Sequence, residues 1–175
     1  MSNSSRTVYD TETTIARAEI YVLMVRYCRG IDRGDAELVK SVYHAGAIDN
    51  HGLFNGEAHE FADFVTPLLS SHYHVTQHQL SNMILAIDRD TANAETYFIA
   101  YHAYRSDAGA HRLTQFGGRY LDRLERRDGR WGIVDRLVVH DWSDDRETIP
   151  YEHVAAFPQG SRAADDASSG LFGGG

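Results

Sequence analysis

A chain of 175 residues, 42% of them hydrophobic, is long enough to bury one core without disulfide or metal support. Its 17 basic and 25 acidic side chains give a formal charge of -8, which argues against a nucleic-acid or anionic-membrane surface. The single Cys28 excludes an intrachain disulfide, and no apolar run approaches the roughly 20 residues of a membrane span. With no segment that joins a basic start to a long apolar run, the chain reads as a soluble cytoplasmic protein.

Residues 1–10, "MSNSSRTVYD", are polar and expected to be loose, and residues 158–175 form a Gly-rich tail with too little apolar surface to order itself. Between them, 11–157 reads as one domain. "TETTIARAEIYVLMVRYCRGID" offers threonines as caps, then apolar residues at helical spacing (Ile20, Leu23, Met24, Tyr27, Ile31). Asp35 is a good N-cap for a short second helix, "AELVKSVY". "AIDNHG" is a candidate strand, and "GEAHEFADFVTPLLSSH" a third helix that Pro67 bends or opens. From residue 74 the period becomes that of strands. "HVTQHQLSNMILAI", "AETYFIAYHAYR", "HRLTQFGGRYLDRLER" and "WGIVDRLVVHDW" are separated by short turn sequences and predict an antiparallel meander. Gly117 and Gly118 fall mid-strand, where glycine commonly marks a bulge. Helices followed by a run of strands predict an α+β fold, with three N-terminal helices packed on a strongly curved sheet around a pocket.

The stretch "YCRGIDRGD" ends the first helix on Tyr27 and Asp32, and Asp32 is not needed as a cap. Together with "YHVTQH" and "YLDRLERRDGRWGIVDRLVVHDW", it gives the chain a layout that resembles the NTF2-like superfamily, in particular its SnoaL-like and scytalone-dehydratase-like enzymes, over about residues 12 to 145. The resemblance implies a catalytic base, His78, oriented by Asp32, with Tyr27 and Arg136 as further catalytic residues. It also implies a cofactor-independent lyase. Alternatives are a steroid or polyketide dehydratase or isomerase, or a non-catalytic binding module.

The chemistry is coherent in its own right. An imidazole, with a reference pKa of about 6.5, accepts a proton near neutrality, and a carboxylate on its other nitrogen fixes the tautomer and stabilises the cation. Tyr27 could donate to a departing oxygen, and Arg136 could stabilise negative charge. No cofactor or metal is required. The plainer readings are a structural histidine, a solvated helix-end acid at Asp32, and an Arg136 paired with Asp122 or Asp135. "Tyr, four residues, Asp" puts Tyr27 and Asp32 about 1.4 turns apart, so both can lean toward one cavity.

Strand parity extends the pocket. If His78 faces in, so do Thr76, Leu80 and Asn82; if Arg136 does, so do Val138, His140 and Trp142. Both faces of residues 97–104 are apolar or aromatic, so alternation cannot choose there. The resemblance favours Tyr101 inside, with Ile99, at a place where some relatives carry an acid. His102 and His140 are reserves for that acid's task. Ten tyrosines and seven phenylalanines, with Tyr27, Tyr101, Phe116 and Tyr120 near the expected site, favour an apolar or aromatic small-molecule substrate over simple core filling. Without an acid at Tyr101, the expected substrate is a para-hydroxylated aromatic that loses water or releases formaldehyde by carbon–carbon cleavage. His72, His74 and His78 in "HYHVTQH" offer a rival metal site, but no Glu follows at suitable spacing. No phosphate-binding glycine loop or nucleophile elbow is present. The resemblance further implies a homo-oligomer, with a trimer favoured.

Overall fold

The computed structural model describes residues 10–149, 154–162 and 166–172. Residues 1–9 of the expected loose N-terminus lie outside the described residues. Helix α1 (Thr11–Arg33) starts from Asp10, whose side chain accepts from the Thr13 N–H at 2.7 Å, so the aspartate rather than a threonine is the cap. It ends at Gly34, whose φ of 68° fits a left-handed C-cap that glycine adopts without penalty. Ala16, Ile20, Leu23, Met24, Tyr27, Cys28 and Ile31 form its buried stripe, with Asp32 at the end of that stripe. Helix α2 (Ala36–Lys40) is capped by Asp35.

Strand β1 (Tyr43–Asn50) begins earlier than the sequence pattern indicates and is followed by a short β2 (Asn55–Glu57), which periodicity does not reveal. Pro67 lies inside helix α3 (Ala58–His72) without ending it. The Thr66 and Ser70 hydroxyls donate to the Ala62 and Thr66 carbonyls around it. The meander follows as β3 (Val75–Asp88), β4 (Thr91–Arg105), β5 (His111–Arg127) and β6 (Arg130–Glu147). Positive φ at both Asp128 and Gly129 lets "DG" make the tight β5–β6 turn. The six-stranded sheet has the order β2-β1-β6-β5-β4-β3, with β1 parallel to β6 and every other pair antiparallel. The helices cover one face of this curved, unclosed sheet, as α+β reasoning anticipates.

Two of the sheet's register shifts bear on which side chains share that face around β3 and the end of β6. One falls between Gly117 and Gly118 against β6. A Cβ on Gly118 would stand 2.3 Å from the Val139 carbonyl oxygen, and one on Gly117 would strike the Trp142 indole at 2.1 Å. Only glycine permits both approaches. The shift opposes Trp142 to Gly117, on the outer face, whereas His140 opposes Gly118 on the inner one. The second shift lies between Leu80 and Met83 and turns Asn82 to solvent while Met83, Leu85 and Ile87 continue the half-buried face. Strict parity therefore holds for Thr76 and Leu80 and fails for Asn82 and Trp142.

The described part of the C-terminal tail contacts α1. Arg33 Nη1 reaches the Ser161 carbonyl at 2.8 Å and Asp166 at 2.9 Å, and Arg162 Nη2 donates to the Tyr73 carbonyl at 3.3 Å. Asp166 also accepts from the Ser161 and Ser168 N–H groups. Among the described tail residues, Ser161, Arg162, Asp166 and Ser168 make these polar contacts.

Candidate active site

The last turn of α1 and the start of β3 bring Asp32 and His78 together. His78 Nδ1 lies 2.7 Å from Asp32 Oδ1, and the His78 backbone N–H donates to Asp32 Oδ2 at 2.9 Å. One carboxylate thus holds both the ring and the backbone of one histidine. The side chains are only 9% and 10% exposed for His78 and Asp32 respectively. With Nδ1 donating to the carboxylate, the proton-accepting lone pair is on Nε2, which has no protein partner among the described residues.

The β3–β4 register opposes His78 to Ala100, Leu80 to Phe98 and Thr76 to His102. Directly opposed residues share a face, so Phe98, Ala100 and His102 stand on the histidine's side. Tyr101 and Ile99, opposed to Gln77 and Gln79, stand on the other. This corrects the expectation that those two line the site. Their strand is apolar on both sides, so hydropathy carries no signal of facing. Phe116, Tyr120, Val138 and His140 do lie on the inner face, by way of Ala100, Thr96, Tyr120 and Gly118 respectively. Phe98 stacks on Tyr120 at 4.3 Å between ring centroids, while His102 is 5.2 Å from Phe116, 4.6 Å from Tyr73 and 5.8 Å from His78. Burial, reinforced by the neighbouring His78, pushes the His102 imidazole down to about 4, so it is neutral at physiological pH. Neither of its nitrogens has a hydrogen-bond partner among the described residues.

Arg136 is fully buried and paired through two bonds with Asp122, at 2.6 and 2.9 Å. Its guanidinium lies 4.1 Å from the Tyr27 ring centre and 4.3 Å from that of Tyr120. Burial opposes its charge, but Asp122 and the surrounding tyrosines outweigh that and hold it protonated. Of the two positions open to it in the sequence, it takes the pair with Asp122. Tyr27 is pushed well above the usual phenol range by burial, so it stays a neutral donor. Its hydroxyl lies 3.3 Å from His51 Nε2.

His51 belongs to a second aspartate–histidine pair that motif reasoning misses. Its Nδ1 makes a short hydrogen bond with Asp49 Oδ1, and the other oxygen of Asp49 accepts from the Tyr43 hydroxyl at 2.5 Å. Asp49 is completely buried, and the His51 ring stacks on Phe61 at 4.3 Å. The available signal is the i, i+2 spacing in "DNH", which puts two side chains on one face of an extended chain. Among the described residues no three His, Cys, Asp or Glu side chains converge as a metal would require. His72 is instead bonded to the Leu68 carbonyl at the end of α3.

A helix-covered curved sheet with a buried, oriented histidine on its inner face defines an NTF2-like small-molecule fold. Residues 12–136 match the SnoaL-like domain, and the chain belongs to that family. No curated protein is matched. Among solved structures, a type 2 hexachlorocyclohexane dehydrochlorinase (LinA) has a TM-score of 0.71 at 20% identity, covering 82% of this chain and 97% of that one. The LinA-type3 enzyme of Novosphingobium barchaimii LL02 gives 0.70 at 19% identity, covering 80% and 96%. A scytalone-dehydratase-like protein of Novosphingobium aromaticivorans DSM 12444 gives 0.67 at 18% identity, covering 83% and 99%. At these identities the likeness is one of fold. No helix among the described residues is long and apolar enough to cross a membrane.

Proposed function

We propose that the protein is a cofactor-independent lyase that eliminates water, or releases formaldehyde, from a hydroxylated aromatic small molecule. The observation that carries this reading is the double hold of Asp32 on His78. His78 Nε2 takes a proton from the substrate, Asp32 stabilises the imidazolium that results, and the bond to the leaving group breaks. The aromatic surfaces of Phe98, Phe116 and Tyr120 suit a flat ring, and the unpartnered, neutral His102 can hydrogen-bond a phenol or carbonyl oxygen.

The test is a panel of purified substrates. A β-hydroxy ketone with a para-hydroxyphenyl group on its carbinol carbon should give the conjugated enone, read by its near-ultraviolet absorbance, and aryl propanediols should be assayed for formaldehyde. His78→Ala should lose about 10²-fold or more of any turnover found, at an unchanged melting temperature. A variant that keeps the wild-type rate refutes the base assignment. Wild-type protein that binds the panel and converts none of it refutes the lyase reading in favour of a binding module.

Homo-oligomerisation is part of the same reading. Ile15, Tyr21, Val22 and Val25 leave an apolar strip on the outer side of α1, each more than 40% exposed, and Ile84 is 65% exposed on edge strand β3. The expected assembly is a trimer. Light scattering behind size exclusion should give three times the single-chain mass, and a monomer mass would refute it.

A further inference from the structure

The Asp32–His78 pair provides for removal of a proton but leaves the departing oxygen without an acid, and no carboxylate stands at Tyr101's neighbour Ala100 to supply one. A hydroxide is a poor leaving group unless it is protonated as it goes. The second pair, Asp49 and His51, has the parts for that task. Asp49 has both oxygens engaged, one by Tyr43 and one by His51 Nδ1, so the imidazole is fixed with Nε2 toward the Tyr27 hydroxyl. Among the described residues the only ion-pair partner of this fully buried carboxylate is His51.

The two pairs are anchored on one helix. Asp32 holds His78 and Tyr27 meets His51, and the two contacts stand five positions apart on α1, about 7.5 Å of helix rise. The sheet gives the same picture. Asp49 is level with Arg136 in the parallel β1–β6 register, and Arg136, Asp122 and Ala94 lie in one row. His51, two residues further along, therefore comes near the row of Val138 and Tyr120. His78 lies in the row of Ala100 and Phe116. Tyr120 and Phe98, stacked on each other, lie between: the His51 ring is 6.3 Å from Tyr120, and the His78 ring 6.5 Å from Phe98. The side chain of His51 is 22% exposed although its aspartate is fully covered, so the ring reaches the edge of the core rather than its interior.

We propose that Asp49, His51 and Tyr27 form a second proton-transfer centre, in which His51 in its protonated form supplies the proton taken up by the leaving oxygen, directly or through the Tyr27 hydroxyl. The proposal rests on the elimination reading above. His78 removes a proton from the carbon beside the carbonyl, the C–O bond breaks, a C=C bond forms, and the oxygen leaves as water with the proton from His51. Nothing is oxidised or reduced. His78 ends protonated and His51 neutral, and exchange with solvent restores both. Asp49 acts as a positioning residue, fixing the tautomer; Tyr27, held neutral by burial, passes the proton on without itself ionising.

The test compares leaving groups. On the para-hydroxyphenyl β-hydroxy ketone and on its β-acetoxy counterpart, which departs as acetate without a proton, His51→Gln should lower the hydroxyl-to-acetoxy rate ratio by about 10²-fold. Tyr27→Phe, which keeps the ring beneath Arg136, should lower the same ratio by a smaller factor if the tyrosine relays. An equal fall on both substrates would mean that His51 only supports the fold and would overturn the proposal. His78→Ala should depress both substrates together, and its failure to do so sinks the lyase reading separately. A readout independent of turnover is the imidazole nitrogen spectrum of 15N-histidine protein. His51, assigned from His51→Gln, should show protons on both ring nitrogens at the assay pH and should shift when the enone product para-hydroxybenzalacetone is added. A proton on one nitrogen alone, or nitrogens that do not respond to the enone, overturns the proposal whatever the kinetics show.

Discussion

Asp32→Asn is expected to abolish nearly all turnover while leaving the domain folded. Asp32 accepts two hydrogen bonds from one residue, from the His78 ring at 2.7 Å and from its backbone N–H at 2.9 Å. An asparagine has a single acceptor oxygen. If that oxygen keeps the backbone N–H, the NH₂ group faces the ring, Nδ1 must become the acceptor, and the proton moves to Nε2, where the base is needed. The same exchange in the serine protease triad costs about 10⁴-fold by imposing the wrong tautomer, and a loss of order 10³ to 10⁴ in kcat is expected here. Because the amide still fills the space and keeps one bond, the melting temperature should move by only a few degrees. A variant within tenfold of wild-type kcat would show that Asp32 does not set the state of His78.

What the sequence discloses divides by the range of the interaction. Asp32 and Tyr27 are legible because one helix places them about 1.4 turns apart, and Asp35 because a cap is a local hydrogen bond. The meander is legible because "RDGR" and "DRDT" are turn chemistry between long apolar runs. The facing of β4 is not. With Tyr97, Ile99 and Tyr101 on one side and Phe98, Ala100 and His102 on the other, only pairing with β3 decides which lines the site. Asn82 and Trp142 fail for a different reason: a bulge reverses all later parity, in β3 between Leu80 and Met83 and in β6 opposite Gly117 and Gly118, where the close backbone approach needs glycine. Asp49 and His51 sit at a strand end whose apolar neighbours look ordinary, and their significance comes from Tyr27 on α1 and from Tyr43 at the start of the same strand.

The second large effect concerns the ion pair beneath Tyr27. Arg136 and Asp122 have no exposed side-chain surface and are joined by two hydrogen bonds, with Met24 Sδ accepting a further one from the guanidinium at 3.3 Å. Taking both charges from water costs several kcal/mol per ion, and their mutual attraction offsets that cost only while both are present. Arg136→Met should therefore leave an uncompensated carboxylate in the core and destabilise by about 3–5 kcal/mol, with a fall in melting temperature of roughly 10 °C. It also withdraws the cation from between Tyr27 and Tyr120, which loosens the wall that carries the Tyr27 hydroxyl. Asp122→Leu alone should be as harmful, since it strands the guanidinium. The double variant Asp122→Leu with Arg136→Met removes both charges at similar volume, and it should recover most of the stability lost by either. The check is a double-mutant cycle by urea denaturation. Coupling of several kcal/mol is the expected result, whereas additive losses in the double variant would mean that the two side chains contribute by packing and not as a pair.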